Sequence, residues 1–214
     1  MILGFEENGR PGIDVCCARV EELLPDDAAY ATAYASLPEF RRRKADAFRF
    51  AGDRRRSVAV WLLLRRLLAG KGIDVDVLQV TENGFGKPAF DPSVGIQFSL
   101  SHAGERVMAA VSSRPVGCDV EQVAPLREGV AEACLTDAEL EFVHAVPSGP
   151  DRDRAFCRLW VRKESYVKAR GAGFSFDPRS FSVLSDAVPC AFRDFDFADG
   201  YLGCAVEPEA DDRG

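Results

Sequence analysis

The spacing of apolar residues switches along the chain between a strand-like and a helix-like period, and the switches outline an order of elements. Ile13 to Val20 predicts a strand. Ser36-Leu37-Pro38-Glu39 has capping-box spacing, in which a hydroxyl accepts from the amide three residues on and the glutamate reaches back. It predicts a helix from there to about Phe50. A second helix is predicted over Asp53–Ala69, with Gly70 and Gly72 as stop signals. It contains the longest unbroken apolar run of the chain, Val58 to Leu64. Three strands follow, near Val75–Thr81, Ile96–Ser101 and Val107–Ser112.

The second half repeats this order. Val116 to Glu121 predicts a strand, and Thr136-Asp137-Ala138-Glu139 is a second capping box, 100 positions after the first. A long helix is predicted over roughly Arg152–Arg170, stopping at Gly171 and Gly173. Strands near Ser180–Leu184, Cys190–Phe195 and Tyr201–Val206 complete it. The pattern implies an α+β fold of two similar α/β subdomains related by a pseudo-twofold, each a small antiparallel sheet packed on a long helix. The halves are set at 1–114 and 115–206, with an acidic tail over 207–214. Two related halves leave a cleft between them, and ligands favour such clefts.

Composition narrows the class. The 214 residues suit one ordinary domain or two small ones, and 47% hydrophobic with 29% charged residues is a globular balance. Seven consecutive apolar residues cannot span a bilayer. The N-terminus lacks the basic and apolar regions of a secretory signal, so none is expected. Seven cysteines, an odd number with no CxxC, exclude a fully paired disulfide framework and a zinc ribbon, and fit a reducing, cytoplasmic setting. With His102 and His144 the only two histidines, a multi-histidine metal site is excluded.

Charge is unevenly spread. Arg41 to Arg56 carries a net +6 within a chain of −7, so the remainder carries −13. One basic face on an acidic protein suits a specific anion site, although a solvated helix face would look the same. A nucleic-acid surface is disfavoured, because no aromatics interleave with the cluster and the rest of the chain repels phosphate.

Three motifs carry candidate chemistry. In Val116-Gly117-Cys118-Asp119-Val120-Glu121, strand alternation puts Asp119 and Glu121 on one face. Paired oxygen ligands suit Mg²⁺, which completes its shell with water and phosphates, although most such pairs are solvated strand-face residues. In Trp160-Val161-Arg162-Lys163-Glu164-Ser165-Tyr166-Val167-Lys168, a spacing of four places Trp160, Glu164 and Lys168 on one helix face. This is either an ordinary Glu–Lys pair or a third oxygen ligand beside a phosphate clamp. The third motif joins Phe85-Gly86-Lys87-Pro88, a turn presenting Lys87, to Phe98-Ser99-Leu100-Ser101-His102-Ala103, where Ser101 and His102 can donate to an anion. A serine hydrolase is disfavoured, since neighbours on a strand face opposite ways and no G-x-S-x-G elbow occurs.

In this order, GKP, FSLSH, VGCDVE and WVRKESYVK resemble the 4′-phosphopantetheinyl transferases of the surfactin-synthetase-activating type, over about Arg41 to Lys168. The resemblance implies a monomer of two α+β halves with coenzyme A and Mg²⁺ in the cleft; hard oxygen ligands accept Mn²⁺ as well. By match to the family pattern, Asp119, Glu121 and Glu164 are the metal ligands and Lys168 holds the coenzyme A pyrophosphate. Ser101 and His102 contact its phosphates, with His102 near the 3′-phosphate, and Gly86 and Lys87 lie beside the adenosine. Lys44, Arg56 and Ser57 fall at the 3′-phosphate contacts, and Arg41 falls where a lysine is common. Ser99 departs from the usual Asn.

The implied reaction attacks the β-phosphorus of coenzyme A with a serine of an apo acyl or peptidyl carrier protein and releases 3′,5′-ADP. Lys168 would offset charge on the leaving phosphate, and Glu164 is the candidate base. Asp119, Glu164 and Lys168 are thus the catalytic set. The carriers are those of peptide, polyketide or fatty-acid synthases, and the segment Val123–Leu135, with Leu126 and Val130, is the candidate docking surface. Neither nucleic acid nor membrane is an expected partner. A Mg²⁺-dependent nucleotide hydrolase and an RNA-binding module are the competing readings.

Overall fold

The computed structural model describes residues 2–7, 10–171, 173, 176–184, 188 and 190–208. The first half holds strands β1 (Ile2–Glu7) and β2 (Arg10–Arg19), helices α1 (Val20–Leu23), α2 (Asp27–Ala35), α3 (Glu39–Asp46) and α4 (Ala51–Ala69), the short hairpin β3 (Val80–Glu82) and β4 (Pro88–Phe90), and strands β5 (Gln97–Ala103) and β6 (Arg106–Ser112). The second half holds β7 (Gly117–Gln122), α5 (Glu128–Cys134), α6 (Asp137–Ala145), α7 (Pro150–Arg170), β8 (Cys190–Phe197) and β9 (Tyr201–Pro208).

The expected repeat is present in the sheet order. β1-β2-β6-β5 forms one antiparallel sheet and β7-β9-β8 another. In both, the opening strand lies beside the last strand and the last beside the penultimate. A long helix, α4 or α7, falls between opening and penultimate strands in the chain. β1 is an outer addition without a counterpart among the described residues.

The first sheet is covered on both faces, which explains its nearly continuous apolar strands. On β2, Cys16 and Ala18 join the core beneath α4, as does Val20 at the start of α1, whereas Ile13, Val15 and Cys17 face the second half. On β6, Val107, Ala109 and Val111 take the α4 side, and Met108 and Ala110 take the other. Residues of β7 and β9 (Cys118, Val120, Tyr201, Ala205) close that second core.

β5 and β7 are the facing edges of the two sheets, and side-chain hydroxyls bridge them. Ser99 Oγ accepts from the Cys118 amide at 3.0 Å and Ser101 Oγ from the Val120 amide at 3.3 Å. Behind β7, Gly117 lets α7 come close. A Cβ there would stand 1.9 Å from the Ser165 carbonyl oxygen, so no other residue fits without moving backbone.

Several expected elements differ. Ser36 ends α2 and does not begin α3: its hydroxyl donates to Ala33 O, and the N-cap of α3 is Pro38, without a side-chain cap. The helix then stops at Asp46 and not near Phe50. Thr136 does cap α6, with both halves of its box formed. Val75–Thr81 is a 3₁₀ turn (Val75–Val77) and the start of β3. Ser180–Leu184 is not a strand, because its backbone groups are taken. The buried Lys163 ammonium donates to Pro178 O and Phe181 O, and Glu139 accepts from the Val183 amide. Helices α1, α2 and α5 and strands β1 and β4 were not expected. β9 runs to Pro208, so the second half extends past 206, and Glu207 is buried against Ser112 and Arg114. The tail beyond lies outside the described residues. Among the described residues, no helix is long and apolar enough to cross a membrane.

Candidate active site

A cavity of about 380 Å³ opens between the halves. Arg41 and Lys44 of α3, Ser57 of α4, the turn Phe85–Pro88 and Ser99 and His102 of β5 line one side, and Trp160, Glu164, Val167 and Lys168 of α7 line the other.

The acidic end is built on β7. Asp119 lies between the two amides that the serines hold, and it is 3% exposed. Its Oδ1 accepts from Ser101 Oγ at 2.7 Å and from Lys168 Nζ at 2.6 Å. Lys168 also donates to Ser101 Oγ at 3.1 Å. Asp119 Oδ2 is buried and has no hydrogen-bond partner among the described residues. Burial pushes the Glu121 carboxyl up to about 7, helped by the charge of Asp119, and Trp160 hydrogen-bonds it. Glu164 is raised for the same two reasons. Lys168 sits above the usual lysine value, because Asp119 outweighs the cost of burial. Three carboxylates around one ammonium leave a formal excess of two negative charges, and one oxygen is bare. That donor set is all hard oxygen and fits a divalent cation such as Mg²⁺. The side chains do not yet converge on it: among the described residues no three His, Cys, Asp or Glu groups form a metal-holding cluster, and Lys168 occupies Asp119 instead.

The basic end belongs to the first half. Arg41 is 4% exposed, lies 4.7 Å over the Trp61 ring and donates to Ser57 O at 2.9 Å and Ser57 Oγ at 3.2 Å. Burial lowers it to about 10, and its Nε is buried without a partner among the described residues. Lys44, half exposed, pairs with Glu82 at 3.1 Å. His102 is pushed down by burial and then by Arg56 and Lys168. Burial lowers Lys87 to about 8, and its ammonium donates to Val116 O at 3.1 Å.

The expected residues are therefore not all brought together. Arg41, Lys44, Ser57, Gly86, Lys87, His102, Glu164 and Lys168 line the cavity. Asp119, Glu121 and Ser101 stand behind its wall, with Asp119 and Ser101 joined to it through Lys168. Arg56 is off the wall, engaged with Asp53 at 2.5 Å and with Gly104 O at 3.0 Å.

A family model described as the 4′-phosphopantetheinyl transferase superfamily matches residues 115–200. The 4′-phosphopantetheinyl transferase psf-1 of Bacillus pumilus is 31% identical over 145 residues, which are 67% of this chain and 61% of that protein. The 4′-phosphopantetheinyl transferase Sfp of Bacillus subtilis (strain 168) is 27% identical over 184 residues, 79% of this chain and 82% of that one. The 4′-phosphopantetheinyl transferase AcpT of Escherichia coli (strain K12) is 39% identical over 93 residues, 40% of this chain and 45% of the relative.

The chain belongs to the 4′-phosphopantetheinyl transferase superfamily. The family's general reaction moves 4′-phosphopantetheine from coenzyme A to a serine of a carrier protein. The matched span of this transferase contains Asp119, Glu121, Glu164 and Lys168, whereas Arg41, Lys44, Lys87 and His102 precede it. Ser99 is accounted for by the seam: a short hydroxyl is enough to reach the Cys118 amide. Sequence reasoning passed over the apolar walls of the cavity, Phe48, Phe98, Leu100 and Phe176. It also passed over Asn83, whose only signal was an Asn-Gly pair typical of turns.

Proposed function

We propose that this phosphopantetheinyl transferase binds coenzyme A across the cavity, with the first half taking the adenosine and 3′-phosphate and the second taking the pyrophosphate. Arg41, Lys44 and His102 would face the 3′-phosphate, and Lys87 with Gly86 the adenosine. Asp119, Glu121 and Glu164 would hold Mg²⁺ (Mn²⁺ has the same ligand preference), which supplies neutralising charge for the diphosphate. Lys168 would turn from Asp119 to the phosphate on which negative charge builds, worth most in a site shielded from water. Ser101, freed of that ammonium, keeps Asp119 oriented. The serine hydroxyl of an apo carrier protein attacks the β-phosphorus, the bond to 3′,5′-ADP breaks, and the serine proton passes to Glu164. Arg56 would join the 3′-phosphate contacts by leaving Asp53.

A single observation carries this reading: the bare, buried oxygen of Asp119, grouped with Glu121, Glu164 and Lys168 behind and along the wall of a cavity whose other end is basic. Carriers of peptide, polyketide or fatty-acid synthases are the acceptors proposed, and a cytoplasmic monomer is the form. On the docking segment, Val130 is 40% exposed, whereas Leu126 packs into the α5–α7 core, so Val130 carries the docking proposal. The test is incubation with coenzyme A, Mg²⁺ and an apo carrier. The carrier should gain one pantetheinyl mass, and Asp119→Ala and Glu164→Gln should each lose the addition. Consumption of coenzyme A without carrier modification would favour the hydrolase. Salt-sensitive RNA binding indifferent to Asp119→Ala would favour the binding module.

A further inference from the structure

Five residues, 83–87, join β3 to β4, and Asn83 organises them. Its Oδ1 accepts from the amides of Phe85 at 3.0 Å and Lys87 at 2.9 Å. Its Nδ2 crosses to the other half and donates to Gly171 O at 2.8 Å. Gly171 is the left-handed residue that ends α7, with φ +65°. A Cβ there would also come within 3.1 Å of Asn83 Nδ2 and 3.5 Å of Lys87 Cδ. Two residues on, a Cβ at Gly173 would stand 3.0 Å from Phe85 Cβ. The turn is thus fitted to the end of α7 through side chain and backbone together. Lys87 Nζ adds the bond to Val116 O, just ahead of β7.

We propose that Asn83 is a positioning residue for coenzyme A: it latches the turn bearing Gly86 and Lys87 onto the end of the helix that carries Glu164 and Lys168. This rests on the transfer reading above. The two walls of the cavity belong to different halves, and a ligand that spans both needs their separation set beforehand. Preorganisation of that kind appears as affinity, because the ordering cost is met before binding. Asn83 touches neither the acidic end nor the reacting atoms, so its loss falls on substrate binding and not on the chemical step.

Steady-state transfer to an apo carrier tests this, with thermal unfolding in parallel. Asn83→Ala should raise the KM for coenzyme A about five- to tenfold, the worth of the one neutral hydrogen bond that crosses to Gly171. The kcat and the carrier KM should stay within about twofold. Asn83→Asp keeps the acceptor for the turn and removes the donor to Gly171, so it should raise the coenzyme A KM without lowering the unfolding midpoint. Gly171→Ala should raise the same KM, and combining it with Asn83→Ala should add little, since both break one latch. A coenzyme A KM within twofold of wild type in Asn83→Ala overturns the latch, as do additive effects or a fall confined to kcat. A wild-type protein that modifies no carrier rejects the transfer reading and the latch with it.

Discussion

Helix α7 carries two lysine–carboxylate pairs that differ in how fully they are engaged. Lys163 meets Glu139 at 2.8 Å and Lys168 meets Asp119 at 2.6 Å. Around the first pair every group is engaged. Lys163 also donates to Pro178 O and Phe181 O, and Glu139 accepts from Thr136 N, Val183 N and Ser182 Oγ. Around the second, Asp119 Oδ2 has no partner among the described residues. The lysines shift in opposite directions: burial lowers Lys163, whereas Asp119 holds Lys168 above its ordinary value. A saturated buried pair fastens a loop. An unsaturated one, with further carboxylates nearby, keeps coordination capacity for something that arrives.

The sharpest test of that contrast exchanges stability for activity. Asp119→Ala should cut transfer by about a thousandfold or more. It should cost little stability, because Lys168 remains part-exposed and bonded to Ser101. Glu139→Ala should do the reverse, destabilising by about 3–5 kcal/mol in urea unfolding, since it strands a buried ammonium and releases the 178–183 segment. Equal stability losses in the two variants would erase the distinction. A smaller effect is expected from removing the saturated pair entirely. Glu139→Leu/Lys163→Met should destabilise less than Glu139→Ala, because no unpaired charge is left behind, although the Val183 amide and the Pro178 and Phe181 carbonyls lose their partners.

The smallest effect is a pH trend. The Lys163 ammonium is lowered in the folded chain and ordinary in the unfolded one, so on approaching pH 10.5 the unfolded chain binds more protons. Stability of wild type relative to that double variant should therefore rise as pH climbs towards 10.5, read from urea midpoints at a series of pH values. A falling difference would mean that Lys163 is net stabilised by its charge, as Lys168 is.

What could be read in the sequence was whatever is decided within a few residues. The Thr136–Glu139 box formed because the cap is local. The same spacing at Ser36–Glu39 misled because Ser36 sits equally well at the end of the preceding helix, where its hydroxyl reaches Ala33 O. Ser180–Leu184 looked like a strand, and only Lys163 and Glu139, distant in sequence, explain why its backbone is not in a sheet. In the site, strand and helix periods gave Asp119, Glu121, Glu164 and Lys168 their faces. Spacing carries no information about distances between halves. It left unseen that Arg56 is occupied by Asp53, that Asp119 stands behind Lys168, and that Ser99 and Asn83 tie the halves together.

The hydroxyl bridge between β5 and β7 bears on whether either subdomain is a self-sufficient module. Each sheet is complete in itself, yet β7 directs the Cys118 and Val120 amides outward to Ser99 and Ser101. Cut between residues 114 and 115, the C-terminal piece would present those donors as a raw edge, and the N-terminal piece would uncover Ile13, Val15 and Met108. Exposed strand borders recruit other chains. The duplicated architecture is therefore an obligate pair: each copy serves as the chaperoning cover of the other.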